Sequence, residues 1–183
     1  MLGNSRQQLE YTNHPCGMSI YNLDKRLCFV LIHKNASTTF KRLALANGWV
    51  YENYYNTDLK VDRYIVILRD PGDRLLSSTN MFITHGRGRP ARTMLIPNHF
   101  YTEECHYEKQ YKFVEGLNHI KVDFYYHTDT VVDDINRDYD LGFEECPKLN
   151  ATDKLFNSVD STMVRKIYEE DYALIDSVQF KNR

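Results

Sequence analysis

No stretch of this chain approaches the roughly 18 consecutive apolar residues of a membrane-crossing helix. No Cys-x-x-Cys pair offers the spacing of a zinc site, and no other metal cluster stands out. The four cysteines, Cys16, Cys28, Cys105 and Cys146, stand singly, a usage that suits a reducing compartment. Charge of one sign is lacking too: 23 Lys and Arg against 25 Asp and Glu leave a formal net charge of -2. Nothing draws the chain as a whole toward nucleic acid or an acidic membrane, so any anion site has to be local. Repeats, low-complexity tracts and linkers are missing, and the polar start at residues 1–15 has no apolar core of a signal peptide. These absences predict one cytoplasmic domain over residues 15–183, preceded by a loose arm at residues 1–14.

What is present centres on the run from Cys28 to Ala44. Residues 28–32 are uninterruptedly apolar, as in a strand covered on both faces. Lys34, Asn35, Ala36, Ser37, Thr38 and Thr39 form a polar turn, and from Phe40 the spacing becomes helical, with Asn47-Gly48 as the stop. Hydroxyls at a helix start behind a lysine suit an anion: free N–H groups, the positive helix end and an ammonium all face it. The turn has no glycine and its lysine precedes the hydroxyls, unlike the nucleoside-triphosphate loop G-x-x-x-x-G-K-S/T. The alternative is a plain helix capped by Ser37 or Thr38, with Lys34 solvated.

A second strand–turn–helix unit follows: Tyr64 to Leu68 is apolar, Arg69 to Asp73 turns, and Arg74 leads a helix to Thr84. Two such units predict an α/β domain whose central parallel sheet is flanked by helices, with ligands at the carboxyl ends of the strands. Met18 to Tyr21 reads as a short strand, Trp49 to Asp62 as loop, and Thr102 to Leu117 as helix. Val122 to Tyr126 reads as a third strand, Thr130 to Tyr139 as a short helix, and Ser161 to Ile175 as the closing one. Arg69 ends its strand and Ser77 lies eight positions later, so guanidinium and hydroxyl converge on one oxyanion, unless Arg69 pairs with Asp70 or Asp73 instead. Two anion turns in one sheet imply a ligand with two separated anionic groups.

In order and motif, the chain resembles the sulfotransferase superfamily, which uses 3′-phosphoadenosine-5′-phosphosulfate. IHKNASTTFKRLA is similar to the 5′-phosphosulfate loop of the carbohydrate branch, P-K-T/C-A/G-S/G-T-S, and nearest to the uronosyl 2-O-sulfotransferase version. His33 replaces the usual proline before the lysine, which frees one φ. ILRDPGDRLLSS is similar to the 3′-phosphate motif R-D-P-x-x-R-x-x-S at Arg69, Asp70, Pro71, Arg74 and Ser77, and VRKIYEEDYALID resembles the closing helix. The branch's N-terminal membrane anchor is not found, and its acceptor-binding insertions are reduced.

The resemblance implies a P-loop-nucleotide-kinase-like sulfotransferase fold and a metal-free transfer to a hydroxyl acceptor, a carbohydrate or small metabolite. Lys34 would contact the phosphosulfate and stabilise charge on its bridging oxygen. Ser37, Thr38 and Thr39, with the main chain of Asn35 and Ala36, would hold the 5′-phosphate. Arg69 and Ser77 would hold the 3′-phosphate. His99 matches the acceptor-side histidine and would be the base, with His33, His106 and His85 as further candidates. Arg87, Arg89 and Arg92 mark either a solvated loop or a contact for an anionic acceptor. Two rivals stand beside this reading: a non-catalytic nucleotide-binding module and a kinase-like phosphotransferase.

Overall fold

The computed structural model describes residues 19–52, 58–84, 106–117, 121–144 and 155–183. The expected arm, the arginine-bearing loop, His85 and His99 lie outside them. Strands β1 (Ser19–Asn22), β2 (Leu27–Val30), β3 (Val50–Glu52), β4 (Arg63–Leu68) and β5 (Lys121–Tyr126) form one sheet in the order β3-β1-β2-β4-β5. Around it lie helices α1 (Ser37–Ala46), α2 (Pro71–Thr84), α3 (Val131–Tyr139), α4 (Ser161–Ile167) and α5 (Glu169–Ser177). The fold is α/β. Among the described residues no helix is long and apolar enough to cross a membrane.

The sheet is mixed, which corrects the expectation of a parallel one. β2, β4 and β5 run parallel, as expected of strands joined through helices. β1 runs antiparallel to both β2 and β3. The reason is the short connection at residues 23–26, which can only fold back. There the Lys25 N–H donates to Asn22 Oδ1 at 2.8 Å, and Arg26 takes φ 53°. The expected loop from Trp49 to Asp62 contains β3, whose three residues complete one edge. At the other edge Phe180 bridges to Phe124, the Lys181 N–H donates to Phe124 O at 2.9 Å, and the Asn182 side chain bonds both main-chain groups of Tyr126. The tail thus covers a row of groups that would otherwise be open.

The apolar runs are explained by burial on both faces. Leu27, Phe29, Leu31, Ile65 and Ile67 turn to one side, where Phe40, Trp49, Val131 and Ile135 pack. Phe40 lies flat on Phe29, with ring centroids 3.7 Å apart. Cys28, Val30, Ile32, Val66 and Leu68 turn to the other side, against Phe113, Leu117, Leu174 and Phe180. Burial pushes the Cys28 thiol up to about 12, as suits a cysteine acting as a small hydrophobe.

Two expected helices come out differently. Within the predicted helix at 102–117, the described part holds two 3₁₀ turns, Gln110–Phe113 and Glu115–Leu117. The Asp171 carboxylate takes the Tyr111 N–H at 3.0 Å, and the Gln110 side chain is held by another strand's end, so the segment is pinned from outside. The closing helix breaks between α4 and α5 at Tyr168, whose φ and ψ of -111° and 33° leave the helical range. Its ring is buried with Leu75, Tyr107 and Val164, and its hydroxyl donates to Tyr107 O at 2.9 Å.

Candidate oxyanion site

β2 and β4 are neighbouring parallel strands, so the turns that follow them lie side by side at the sheet's carboxyl edge. The first turn starts α1 at Ser37, one turn earlier than the apolar spacing indicates. Lys34 and Ala36 both hold positive φ, 68° and 58°, although neither is glycine. Such backbone costs of order 1–3 kcal/mol per residue and persists only where its surroundings impose it. Between them the Asn35 N–H closes back on Ile32 O at 3.2 Å, so the turn is held by its own main chain. No side chain caps α1 at Ala36, so neither Ser37 nor Thr38 is the cap expected under the plain-helix alternative. Ser37 is buried, Thr39 half-buried and Thr38 exposed.

The second turn assigns distinct work to each motif residue. Pro71 opens α2, where its missing N–H costs nothing. Asp70 Oδ1 accepts from the Asp73 N–H at 3.0 Å and so caps the helix. Arg74 is fully buried; its Nε donates to His33 O at 3.0 Å and its Nη1 to Glu108 O at 2.5 Å. It therefore holds the first turn from below. Arg69 faces the first turn, and its Nη1 donates to Lys34 O at 3.0 Å. Burial lowers the Arg69 pKa; the Asp73 and Asp70 charges oppose this without reversing it, and among the described residues neither forms an ion pair with it. Ser77 lies half-buried two turns along α2, with no hydrogen bond joining it to Arg69.

Gln110 ties the turns together, and nothing in its sequence neighbourhood marks it. It is completely buried. Its Oε1 accepts from Asn35 Nδ2 at 2.6 Å and from the Arg69 N–H at 3.0 Å, while its Nε2 donates to Arg69 O at 2.8 Å. Asn35 Nδ2 also donates to Ile67 O at 2.8 Å. Asn35 is thus a structural pin between the turns through its side chain. Asp171 in turn accepts from the Tyr111 N–H at 3.0 Å, and burial pushes its carboxyl upward.

Burial lowers the Lys34 pKa, and the Arg69 charge lowers it further. Burial also lowers Arg69. Among the described residues neither cation has an ion-pair partner, and both Arg69 Nε and Asn35 Oδ1 are buried without a hydrogen bond. A buried donor left open costs about 1–3 kcal/mol. A bound oxyanion would accept from Arg69 and neutralise both cations; it would supply no donor to Asn35. His33 tilts against His106 with centroids 4.3 Å apart, and burial, followed by the His106, Arg74, Lys34 and Lys41 charges, lowers it to about 3. It is neutral across the physiological range.

No family model matches the chain, and neither a curated protein nor a solved structure does. The chemistry of the site therefore rests on its own residues. Lys34, Asn35, Ala36, Ser37 and Arg69 come together around the first turn, Thr38 and Thr39 follow at the start of α1, and no hydrogen bond joins Ser77 to Arg69.

Two outcomes follow from this geometry. Replacing Gln110 with Met keeps the volume but removes the partner of both main-chain groups of Arg69 and one of the two acceptors of the Asn35 amide. We expect a loss of about 2–4 kcal/mol in urea unfolding and faster hydrogen exchange at the Arg69 amide. Acid should act through His33: its folded pKa of about 3 lies below the ordinary 6.5, so the unfolded state binds the extra proton and stability falls as pH drops through that window. A His33→Gln variant should show a stability–pH slope shallower by up to one proton between pH 6.5 and 4, measured by urea unfolding at each pH.

Proposed function

We propose that this protein is a sulfotransferase of the P-loop-nucleotide-kinase-like fold that uses 3′-phosphoadenosine-5′-phosphosulfate. The observation that carries the reading is the pairing of Lys34 and Arg69. Two cations from the turns that follow neighbouring strands share one hydrogen-bonded corner, and among the described residues neither has an ion-pair partner. The glycine-free loop, with its lysine ahead of the hydroxyls, separates the site from an ATP or GTP loop and weighs against a kinase-like phosphotransferase.

When bound, the co-substrate supplies an activated sulfuryl group. The ammonium of Lys34 would stabilise negative charge on the bridging oxygen as it leaves, a role in which fixed electrostatics outweigh covalent help. The N–H groups at the start of α1, with the hydroxyls of Ser37, Thr38 and Thr39, would hold the 5′-phosphate. Arg69 would hold the 3′-phosphate with its open Nε, and Ser77 would join it once the ligand bridges the gap. The acceptor is a hydroxyl on a carbohydrate or small metabolite, and His99 is the proposed base that takes its proton.

A binding-only role for the same corner draws on one observation. His33, the histidine nearest Lys34 in sequence, is too weakly basic at about 3 to accept a proton efficiently. Turnover therefore separates the two readings: loss of sulfuryl transfer in His99→Ala with nucleotide binding intact supports the enzyme, and absence of transfer to any hydroxyl acceptor supports the module.

Binding itself is tested by calorimetric titration with 3′-phosphoadenosine-5′-phosphate. We expect micromolar or tighter affinity, about -8 kcal/mol or better, falling at least tenfold in Arg69→Ala and in Lys34→Ala. A folded wild-type protein that does not bind would remove the sulfotransferase reading.

A further inference from the structure

The carboxyl edge of the sheet carries a histidine that neither turn motif includes. Tyr126 is paired with Leu68 in the parallel register of β5 and β4, so the next residue on each strand, His127 and Arg69, emerge side by side. The His127 N–H donates to Leu68 O at 2.8 Å, fixing its main chain against the residue that precedes Arg69. On the far side Asn182 holds the Tyr126 N–H and carbonyl at 2.8 and 2.9 Å, so the end of β5 is clamped from both flanks. The imidazole itself is half-buried.

We propose that His127 is a third contact of the oxyanion site, its imidazole taking up a proton from solvent as a phosphate group settles beside Arg69. The inference rests on the reading that the corner at Arg69 binds such a group. With no anion present, burial and the Arg69 charge hold the imidazole neutral, at about 4. Asp129, on the turn leading to α3, and a hydrogen bond to the residue's own main chain pull the other way and are outweighed. Arg183 is stacked on the ring of the preceding residue, Tyr126, at 3.3 Å. A phosphate monoester carries up to two negative charges and would reverse the balance that Arg69 now sets. The ring would then be cationic and donate to the ligand, a charge-assisted bond. Binding would be coupled to proton uptake, and affinity would rise as pH falls.

The test uses the full chain, 3′-phosphoadenosine-5′-phosphate as probe, and calorimetry at pH 5.5, 6.5 and 7.5 in buffers of different ionisation enthalpy. The ligand's own titration is common to wild type and variant, so the comparison with His127→Gln isolates the histidine. We expect wild type to take up more protons on binding than His127→Gln does. Its affinity advantage over the variant should grow several-fold per pH unit on acidification, with tenfold per unit as the ceiling. The carbon-bound imidazole proton of His127, followed by NMR, should titrate at a higher pH in the saturated complex than in the free protein. Equal proton uptake and parallel pH profiles in the two proteins would overturn the proposal while leaving the site reading intact. A uniform loss of affinity at every pH would overturn it too, because it marks a structural role. If neither folded protein binds the probe, the proposal falls together with the reading beneath it.

Discussion

The carboxamide of Gln110 is the constraint on which the candidate site depends. A buried amide has one acceptor oxygen and two donor hydrogens to satisfy, and here those groups engage Asn35 on one turn and both main-chain groups of Arg69 on the other. Two loops that could otherwise drift are locked in register without a covalent link. The lock has its own support: Asp171 on α5 accepts the neighbouring Tyr111 N–H, and the buried Arg74 joins the His33 and Glu108 carbonyls. The pieces at 33–36, 69–74, 106–111 and 169–177 thus form one polar unit beneath the sheet's edge.

This unit holds its surface in an unfavourable state. Lys34 and Ala36 keep left-handed backbone, Lys34 and Arg69 are half-buried cations close to each other, and Arg69 Nε is left open. Each feature costs free energy in isolation, and the sheet core packed on both faces is what sustains them. An anionic acceptor would answer the open Arg69 Nε and the two cations, though not the left-handed backbone, and this is the basis of the binding role we propose.

Part of this was legible in the sequence. The apolar runs at 28–32 and 64–68 announced covered strands because both faces of β2 and β4 are packed, and the Asn47-Gly48 pair marked a real helix end, whereas Pro71, read as part of the turn, opens α2 three residues ahead of Arg74. Lys34 and Arg69 were visible because charge placed directly after a buried strand has few structural uses. Other parts were silent. β1 was legible as a short strand before a turn, but its antiparallel direction in a sheet expected to be parallel was not, and β3 lies within an expected loop at an edge that local apolarity does not encode. Gln110 sits in a polar stretch and becomes important only through partners 41 and 75 residues away in the chain. The break at Tyr168 likewise follows from a tertiary hydrogen bond, since the helical spacing runs straight through it. His127 did carry a signal, as a histidine immediately after an apolar strand in a parallel sheet, but its meaning required knowing that β5 lies beside β4.

The most direct test of the central claim, that the locked turns form one two-phosphate site, is a crystal structure of the protein grown with 3′-phosphoadenosine-5′-phosphate. The account predicts the 5′-phosphate on the N–H groups at the start of α1 beside Lys34, and the 3′-phosphate on the Arg69 guanidinium, with the Gln110 bonds unchanged. A nucleotide bound elsewhere, or one whose binding pulls Arg69 away from Gln110, would contradict it.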